Sequence, residues 1–188
     1  MDIPESLSER FPFLDALEEK WLPVSRPAFW GWLAFYAVLI GNAMFGGHLL
    51  QLIDLVFVPI HEGGHLLFRL FGQFIAVAGG TFLQLFVPFA LAMWFAFQRQ
   101  IPGTAFCAFF FFEQFIPTGI YMADARAQEL PLLTVGDSDD VIHDWFYLFS
   151  HIGLLEHDTQ IGATFRILGW TGMLVVVAWF AWRSWQKA

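Results

Sequence analysis

Three long stretches without charge dominate the sequence. No Asp, Glu, Lys or Arg occurs in residues 27–53 or 70–98, and Glu113 is the only one in residues 100–123. Each stretch exceeds the roughly 20 apolar residues that a helix needs to cross a bilayer. With 57% hydrophobic and 14% charged residues, the composition is also too apolar for an ordinary soluble domain. The sequence therefore predicts an all-α, polytopic membrane protein.

The apolar stretches divide the chain into about five predicted membrane helices. We expect these helices at about residues 29–45, 49–74, 74–97, 104–123 and 161–182. An amphipathic pattern over residues 141–155 predicts one further helix that lies at the membrane surface. The predicted fold is thus a helical bundle of about five transmembrane helices with an interfacial amphipathic helix.

Two polar regions frame the predicted membrane domain. Residues 1–27 are mixed and charged and form a predicted N-terminal interfacial segment, whereas residues 28–188 form one domain with an acidic loop at 125–160. The formal net charge of −8 comes mostly from the tails and this loop. Nucleic-acid binding needs a basic surface, so we expect none. The expected location is integral to a membrane, with lipids as neighbours.

The apolar segment 49–74 contains His-Glu-Gly-Gly-His at residues 61–65. In a helix, His61 and His65 lie one turn apart on a common face. Two imidazoles spaced in this way can bind one Zn²⁺, and Glu62 can take a proton from the water that the metal holds. Ionisable groups at membrane depth are costly and are therefore functional by default. The motif predicts a zinc-hydrolase helix in a bilayer.

The residues around the motif allow more than one interpretation. Asp54 precedes His61 by seven residues, which places it near the same helix face. It either orients an imidazole by a hydrogen bond, as metal-bound histidines usually require, or is an interfacial acid with no role in the site. Pro59 predicts a kink just before the motif. Gly63 and Gly64 either keep space open for a substrate backbone or allow tight helix packing.

A hydrolytic zinc site needs a third protein ligand and leaves one position for water. The candidates are Asp124, His143, Asp144, His151 and His157. Asp124 has the best position, because it lies at the broken end of a predicted membrane helix. His143 and Asp144 form the strongest alternative, since a His beside an acid in the interfacial helix could cap the site. We interpret His151 and His157 as surface histidines.

The combination resembles the site-2 protease family of intramembrane zinc metalloproteases. In that family a His-Glu-x-x-His helix is followed by a later helix with an Asn-Pro-x-x-x-x-Asp-Gly-like motif. His61, Glu62 and His65 match the first element. Gln-Phe-Ile-Pro at residues 114–117, which leads to Asp124, resembles the second, with Gln in place of Asn, a longer spacing and Ala where Gly is expected.

The Gly-Gly-Thr sequence at residues 79–81 is similar to the glycine-bearing segment that follows the first motif in the family. It predicts a loop or a re-entrant turn, with the third membrane helix proper beginning near Phe82.

The resemblance implies a metallopeptidase. His61, His65 and Asp124 would hold Zn²⁺, and Glu62 would act as the general base and then pass the proton to the leaving amine. The substrate would be a peptide bond in or near the bilayer, in a transmembrane or membrane-proximal protein.

Two other classes of function remain open. The same zinc chemistry would serve a membrane hydrolase of a lipid or another amide, which extra ligands from His143 and Asp144 would favour. A non-catalytic relative that binds partner helices is the third class, although a structural metal site gains nothing from a base at Glu62. The fourth coordination position distinguishes them: water facing a strand-shaped groove, water facing a lipid-shaped pocket, or a fourth protein ligand.

Overall fold

The computed structural model of the chain describes residues 21–130 and 143–185. Within these ranges all regular structure is helical, which confirms the predicted all-α fold. The α-helices in chain order are α1 (Arg26–Met44), α2 (Leu49–Asp54), α3 (Val58–Phe68), α4 (Gln73–Phe97), α5 (Ile101–Glu113), α6 (Phe115–Ala123), α7 (Asp144–Ile152) and α8 (Asp158–Trp185). Short 3-10 helices occupy Arg69–Phe71 and Leu155–His157.

In the described part of the chain, four helical segments are long and apolar enough to cross a membrane. They are α1, α4, the consecutive pair α5–α6, and α8 with the 3-10 turn before it. The predicted count of about five is one too high, because the segment that carries the His-Glu-Gly-Gly-His motif is not one long helix. The predicted N-terminal interfacial segment lies mostly outside the described residues, as does the middle of the acidic loop.

The motif segment is broken into α2 and α3 by turn residues 55–57. Pro59 lies in the first turn of α3, where a missing N–H costs no helical hydrogen bond. It therefore starts a new helix instead of kinking a longer one. At a rise of 1.5 Å per residue, α3 is about 16 Å long, roughly half of the 30 Å hydrocarbon core. Neither α2 nor α3 can cross a bilayer alone.

Helices α3 and α4 form an antiparallel hairpin with very close backbones. A Cβ atom on Gly64 would clash with the backbone carbonyl of Gly79, and one on Gly79 would lie 2.8 Å from the carbonyl oxygen of Gly64. The chain reverses at Gly72, whose φ of 93° strongly favours glycine. Tight helix packing thus accounts for Gly64. The predicted loop at residues 79–81 is wrong, because these small residues lie inside α4 and form the contact with α3.

The remaining helices enclose the hairpin on one side. The α5–α6 pair packs between α4 and α8, and α1 packs on α8. Aromatic side chains fill the space among α1, α5 and α8, where Tyr36, Phe109 and Phe180 are fully buried. Close ring contacts such as Tyr36 with Phe109, 5.0 Å between centroids, hold this core together.

Helix α7 corresponds to the predicted interfacial helix and is shorter than expected. It begins at Asp144 and ends before Gly153, which adopts the left-handed conformation that closes many helices. Residues 141–142 of the predicted helix lie outside the described residues. The α7 helix packs on α4 and α6, so its first turn lies over the α3–α4 hairpin.

Candidate metal centre

Three side chains that could hold a metal ion converge between α3 and α7. His61 and His65 lie one turn apart on α3, and Asp144 is the first residue of α7. Their ligand atoms all lie within 4.8 Å of one another. Asp144 Oδ2 is 2.9 Å from His61 Nε2 and 3.4 Å from His65 Nε2. The structure therefore brings together the two predicted histidines with one of the alternative third ligands.

Helix α4 orients both imidazoles. His65 Nδ1 is 2.9 Å from the carbonyl oxygen of Ala76, and His61 Nδ1 is 2.8 Å from Oε1 of Gln84. Both partners are acceptors, so each Nδ1 carries a hydrogen, and Nε2 is the nitrogen that faces Asp144 and could bind a metal. Hydrogen bonds of this kind set the tautomer and the ring orientation of metal-bound histidines.

The distances from Asp144 to the two histidines suit a site that could hold a metal ion. Zinc lies about 2.0–2.2 Å from its ligands, so two ligand atoms of a tetrahedral site are about 3.3 Å apart. The separations of 2.9 and 3.4 Å between Asp144 Oδ2 and the two histidine nitrogens are close to this value. Without a metal ion, hydrogens on Nε2 join the histidines to the Asp144 carboxylate, and a bound cation would replace those hydrogens.

Gly80 keeps the space beside the donor atoms open. It faces the histidines from α4, and a Cβ atom on it would lie 2.6 Å from Nε2 of His65 and 2.7 Å from Nε2 of His61. These separations are too short for non-bonded atoms, so a larger residue at position 80 would displace the imidazoles. The metal-binding geometry thus depends on a glycine in the facing helix.

The surroundings of Asp144 favour its ionised carboxylate next to a positive charge on the histidines. Burial raises the pKa of the Asp144 carboxyl, but hydrogen bonds with His61 and His65 outweigh burial and hold that pKa below its ordinary value. Burial by itself lowers the pKa of His65, whereas the contact with Asp144 raises it, to about 9 overall. A cation bound between these groups supplies the same positive charge as an added proton.

Asp124, the predicted third ligand, is not part of this cluster. Its carboxylate accepts hydrogen bonds from the backbone N–H groups of Glu129 at 3.0 Å and Leu130 at 3.1 Å. These bonds fix the chain just after α6, where a helix end leaves backbone groups without helical partners. Among the described residues, the structure therefore places Asp144, and not Asp124, beside the two histidines.

His143 supports α7 instead of facing the cluster. Its Nδ1 accepts a hydrogen bond of 3.1 Å from the N–H of Phe146, which caps the helix. Burial lowers the pKa of His143, so the imidazole is neutral at pH 7 with its hydrogen on Nε2. The other two candidates, His151 and His157, are exposed and bond within their own helical turns, which agrees with their interpretation as surface histidines.

Glu62, the predicted general base, lies between the two histidines on α3 and is half-buried. Its charge contributes to the raised pKa of His65, so the carboxylate is close to the cluster. The next residue, Gly63, has room around it, because the nearest atom to an added Cβ would be Leu83 Cδ2 at 4.0 Å. A side chain at position 63 would therefore be tolerated, in contrast to one at position 64.

Asp54 reaches His61 only through other side chains. Its Oδ1 accepts a hydrogen bond from Gln114 Nε2 at 2.8 Å, and Gln114 Oε1 accepts one from Gln84 Nε2 at 2.7 Å. The interpretation that Asp54 orients an imidazole by direct contact is therefore wrong. The sequence pattern does not identify Gln84, although a Gln in the middle of a charge-free stretch, four residues after Gly80, is a usable signal.

Comparison with known proteins identifies no relative. No family model matches the chain, and no match is found among curated proteins or solved structures.

Proposed function

We propose that this protein is a multi-pass membrane protein and a zinc-dependent hydrolase that cleaves a peptide bond in or beside the bilayer. The observation that carries the proposal is the convergence of His61, His65 and Asp144 next to Glu62, inside an apolar helical bundle. Kinship with the site-2 protease family is part of the proposal, and it is supported by the His-Glu-x-x-His turn.

Large apolar side chains on the outside of the bundle support the membrane location. Trp30, Val38, Trp94, Val175 and Trp182 are each more than half exposed. A soluble monomer rarely exposes so much contiguous apolar surface, whereas a bilayer would cover it.

The position of the cluster along α4 agrees with a site below the membrane surface. Gly80, which faces the histidines, lies about 10 Å from the start of α4 at 1.5 Å per residue. The other end of α4 is marked by Arg99, which lies with Arg183 around the ring of Trp21. A hydrocarbon core of about 30 Å between these ends would place the cluster within its upper third, beneath α7.

His61 Nε2, His65 Nε2 and the Asp144 carboxylate would hold the zinc ion, and a fourth position would remain for water or substrate. A donor set of two imidazoles and one carboxylate is that of many catalytic zinc sites. When bound, zinc acts as a Lewis acid that polarises a carbonyl group and lowers the pKa of a water molecule toward 7.

Groups of the protein would transfer the proton and hold the metal-binding imidazoles in position. The Glu62 carboxylate would accept a proton from the attacking water and then give it to the leaving amine nitrogen. Ala76 and Gln84 would hold the two imidazoles in one tautomer throughout, by the hydrogen bonds to Nδ1. Gly63, where an added Cβ would first meet Leu83 at 4.0 Å, has no side chain that would block the approach of a substrate backbone.

A hydrolase of a lipid or another amide is the second candidate. The observation that favours it is the origin of the third donor, because Asp144 follows the acidic segment and Asp124 is engaged elsewhere. The family pattern instead takes its third ligand from the position that Asp124 occupies. The zinc chemistry would be the same, and the substrate would be an acyl chain with a carbonyl near the surface.

The test combines metal content with cleavage by protein reconstituted in lipid vesicles. We expect about one zinc per chain in the wild type, and Glu62→Gln should keep this zinc while losing activity about 10²–10⁴-fold. The substrates are a quenched fluorescent transmembrane peptide and a quenched fluorescent N-acyl lipid. Cleavage of the peptide supports the protease, and cleavage of the lipid alone supports the second candidate. Zinc-free wild-type protein after zinc is supplied, or full activity of Glu62→Gln, would overturn the proposal.

A further inference from the structure

A chain of hydrogen bonds leads away from the candidate metal centre into the middle of the bundle. His61 Nδ1 contacts Gln84 Oε1 at 2.8 Å, and Gln84 Nε2 donates to Gln114 Oε1 at 2.7 Å. Gln114 Nε2 then donates to two acids, to Asp54 Oδ1 at 2.8 Å and to Glu113 Oε2 at 2.6 Å. The chain joins residues from α2, α3, α4 and the junction between α5 and α6.

The chain of hydrogen bonds has one donor-to-acceptor direction, which Asp54 and Glu113 set at its inner end. An amide offers an oxygen acceptor at one side and an NH₂ donor at the other. Because the Gln114 NH₂ group supplies one hydrogen to each acid, its oxygen must face Gln84. That oxygen needs a donor, so Gln84 turns its NH₂ toward Gln114 and its oxygen toward His61. The oxygen at His61 in turn requires the hydrogen on Nδ1, so Nε2 is the nitrogen that faces Asp144 and could bind a metal.

The inner end of the chain is deeply buried. Gln114 has no exposed surface and Glu113 is 1% exposed. Polar groups at such depth must bond to each other, and apolar side chains of similar size would fill the same space without that requirement. Intramembrane polar groups of this kind are therefore expected to serve a function. Among the described residues, the outer end of this hydrogen-bond chain is His61, a predicted metal ligand.

We propose that Gln84 is a positioning residue for His61 and that the buried acids Asp54 and Glu113, acting through Gln114, set the tautomer in which His61 binds metal. This inference rests on the proposed metal site and adds residues to it that the His-Glu-Gly-Gly-His motif does not contain. It also gives Asp54 a role at a distance of two side chains.

The first test measures zinc affinity by competition with a chelator, using full-length protein in detergent. We expect Gln84→Leu to weaken zinc binding about 10–100-fold, since the imidazole loses the acceptor that holds its hydrogen on Nδ1. Gln84→Glu keeps an acceptor and should restore affinity to within about threefold of the wild type. Gln98→Leu, the same change at the exposed end of α4, is the matched control and should leave zinc affinity unchanged.

Cobalt substitution supplies a spectroscopic readout that does not depend on activity. The visible bands of Co²⁺ report ligand geometry, so they should change in Gln84→Leu and stay as in the wild type in Gln98→Leu. If Gln84→Leu does not fold, Gln84→Met replaces it, because Met fills a similar volume with a flexible apolar chain.

The second test addresses the direction of the chain. Asp54→Asn combined with Glu113→Gln puts amides where the acids stand, so Gln114 can turn its oxygen toward them. We expect zinc affinity to fall about threefold to tenfold, less than in Gln84→Leu because Gln84 remains beside His61. Asp54→Asn and Glu113→Gln alone should each have a smaller effect, because the other acid still fixes Gln114.

The outcomes separate this inference from the proposed function. Wild-type protein that binds no zinc removes the metal site and with it both proposals. Wild-type protein that binds zinc, together with Gln84→Leu of equal affinity and an equal cobalt spectrum, overturns the inference alone. Weakened binding in Gln84→Leu with no change in the double variant keeps Gln84 as a positioning residue and overturns the role of the acids.

Discussion

Two His–Asp contacts lie side by side at the start of α7, and they differ in what they can do. In one, Asp144 approaches His61 at 2.9 Å and His65 at 3.4 Å. In the other, Asp124 Oδ2 lies 3.4 Å from Nε2 of His143. Both contacts pair a carboxylate with imidazole, and all of these residues are metal-ligand candidates in the sequence.

The neighbour of each Nδ1 atom distinguishes the two contacts. His65 Nδ1 faces the carbonyl oxygen of Ala76 and must donate to it, so Nε2 is the nitrogen that faces Asp144 and could bind a metal. His143 Nδ1 accepts from the N–H of Phe146, so its Nε2 carries the hydrogen that faces Asp124. In the first contact Nε2 can therefore exchange its hydrogen for a cation, whereas in the second Nε2 must keep its hydrogen as long as Nδ1 caps α7.

The carboxylates differ in the same sense. The Asp124 carboxylate accepts hydrogen bonds from two backbone N–H groups and lies 3.4 Å from a neutral histidine. Within the described residues, no backbone donor contacts the side chain of Asp144. Identity and spacing in the sequence do not reveal this difference. It depends on which polar groups the fold brings to the remaining atoms of each side chain.

Replacing Asp144 or Asp124 with Asn should separate the two contacts most strongly. Asp144→Asn should reduce bound zinc from about one per chain to near zero, because a neutral amide oxygen is a weak zinc ligand. Asp124→Asn should keep the zinc and lower the free energy of unfolding by about 1–3 kcal/mol, since charge-assisted bonds to backbone amides weaken. Elemental analysis and denaturant unfolding in detergent measure the two effects. Zinc lost in Asp124→Asn and kept in Asp144→Asn would reverse the assignment.

A methyl group beside the contact of Asp144 with His61 and His65 should give the next largest effect. Gly80→Ala puts a Cβ atom within 2.7 Å of both Nε2 atoms, so we expect zinc affinity to fall, by about 10–100-fold as for other displaced ligands. Gly63→Ala is the matched control, since its Cβ would first meet Leu83 at 4.0 Å. That variant should bind zinc as the wild type does and gain up to about 1 kcal/mol of helix stability. Equal affinities in both variants would show that the imidazoles do not depend on Gly80.

Removal of the contact between His143 and Asp124 should have the smallest effect. His143→Ala deletes the cap of α7 and should lower stability by about 1 kcal/mol, which corresponds to about 2–4 °C in melting temperature. His143→Asn should restore most of this loss, because Asn is a good capping residue. Zinc should remain bound in both variants. Loss of zinc in His143→Ala with its retention in Asp144→Asn would make His143 the ligand.

The sequence allows the helical bundle and half of the site to be predicted. Charge-free stretches identify α1, α4, α5–α6 and α8, because a bilayer imposes a minimum apolar length. The spacing of His61 and His65 predicts their shared face, since it depends only on helix geometry.

The rest depends on long-range pairing. The choice between Asp124 and Asp144 depends on how α7 docks, and the sequence between them has no apolar period that reports it. Gln84 escapes prediction because its role appears only when α4 runs antiparallel to α3, which brings it to His61. Likewise, the glycine pair at 79–80 resembles a turn in isolation, and the contact with Gly64 shows it to be a helix surface.

The broken motif segment has a consequence for the order in which the protein is made. The two histidines, Gly80 and Gln84 all belong to the α3–α4 hairpin, which leaves the ribosome long before Asp144 is synthesised. At that stage only two donors are present, and two donors hold zinc far more weakly than three. In the proposed site, retention of the metal ion would therefore begin only when α7 docks onto the hairpin. The ion would stabilise this late docking, and a chain that stalls or misfolds before α7 would lack the third proposed ligand.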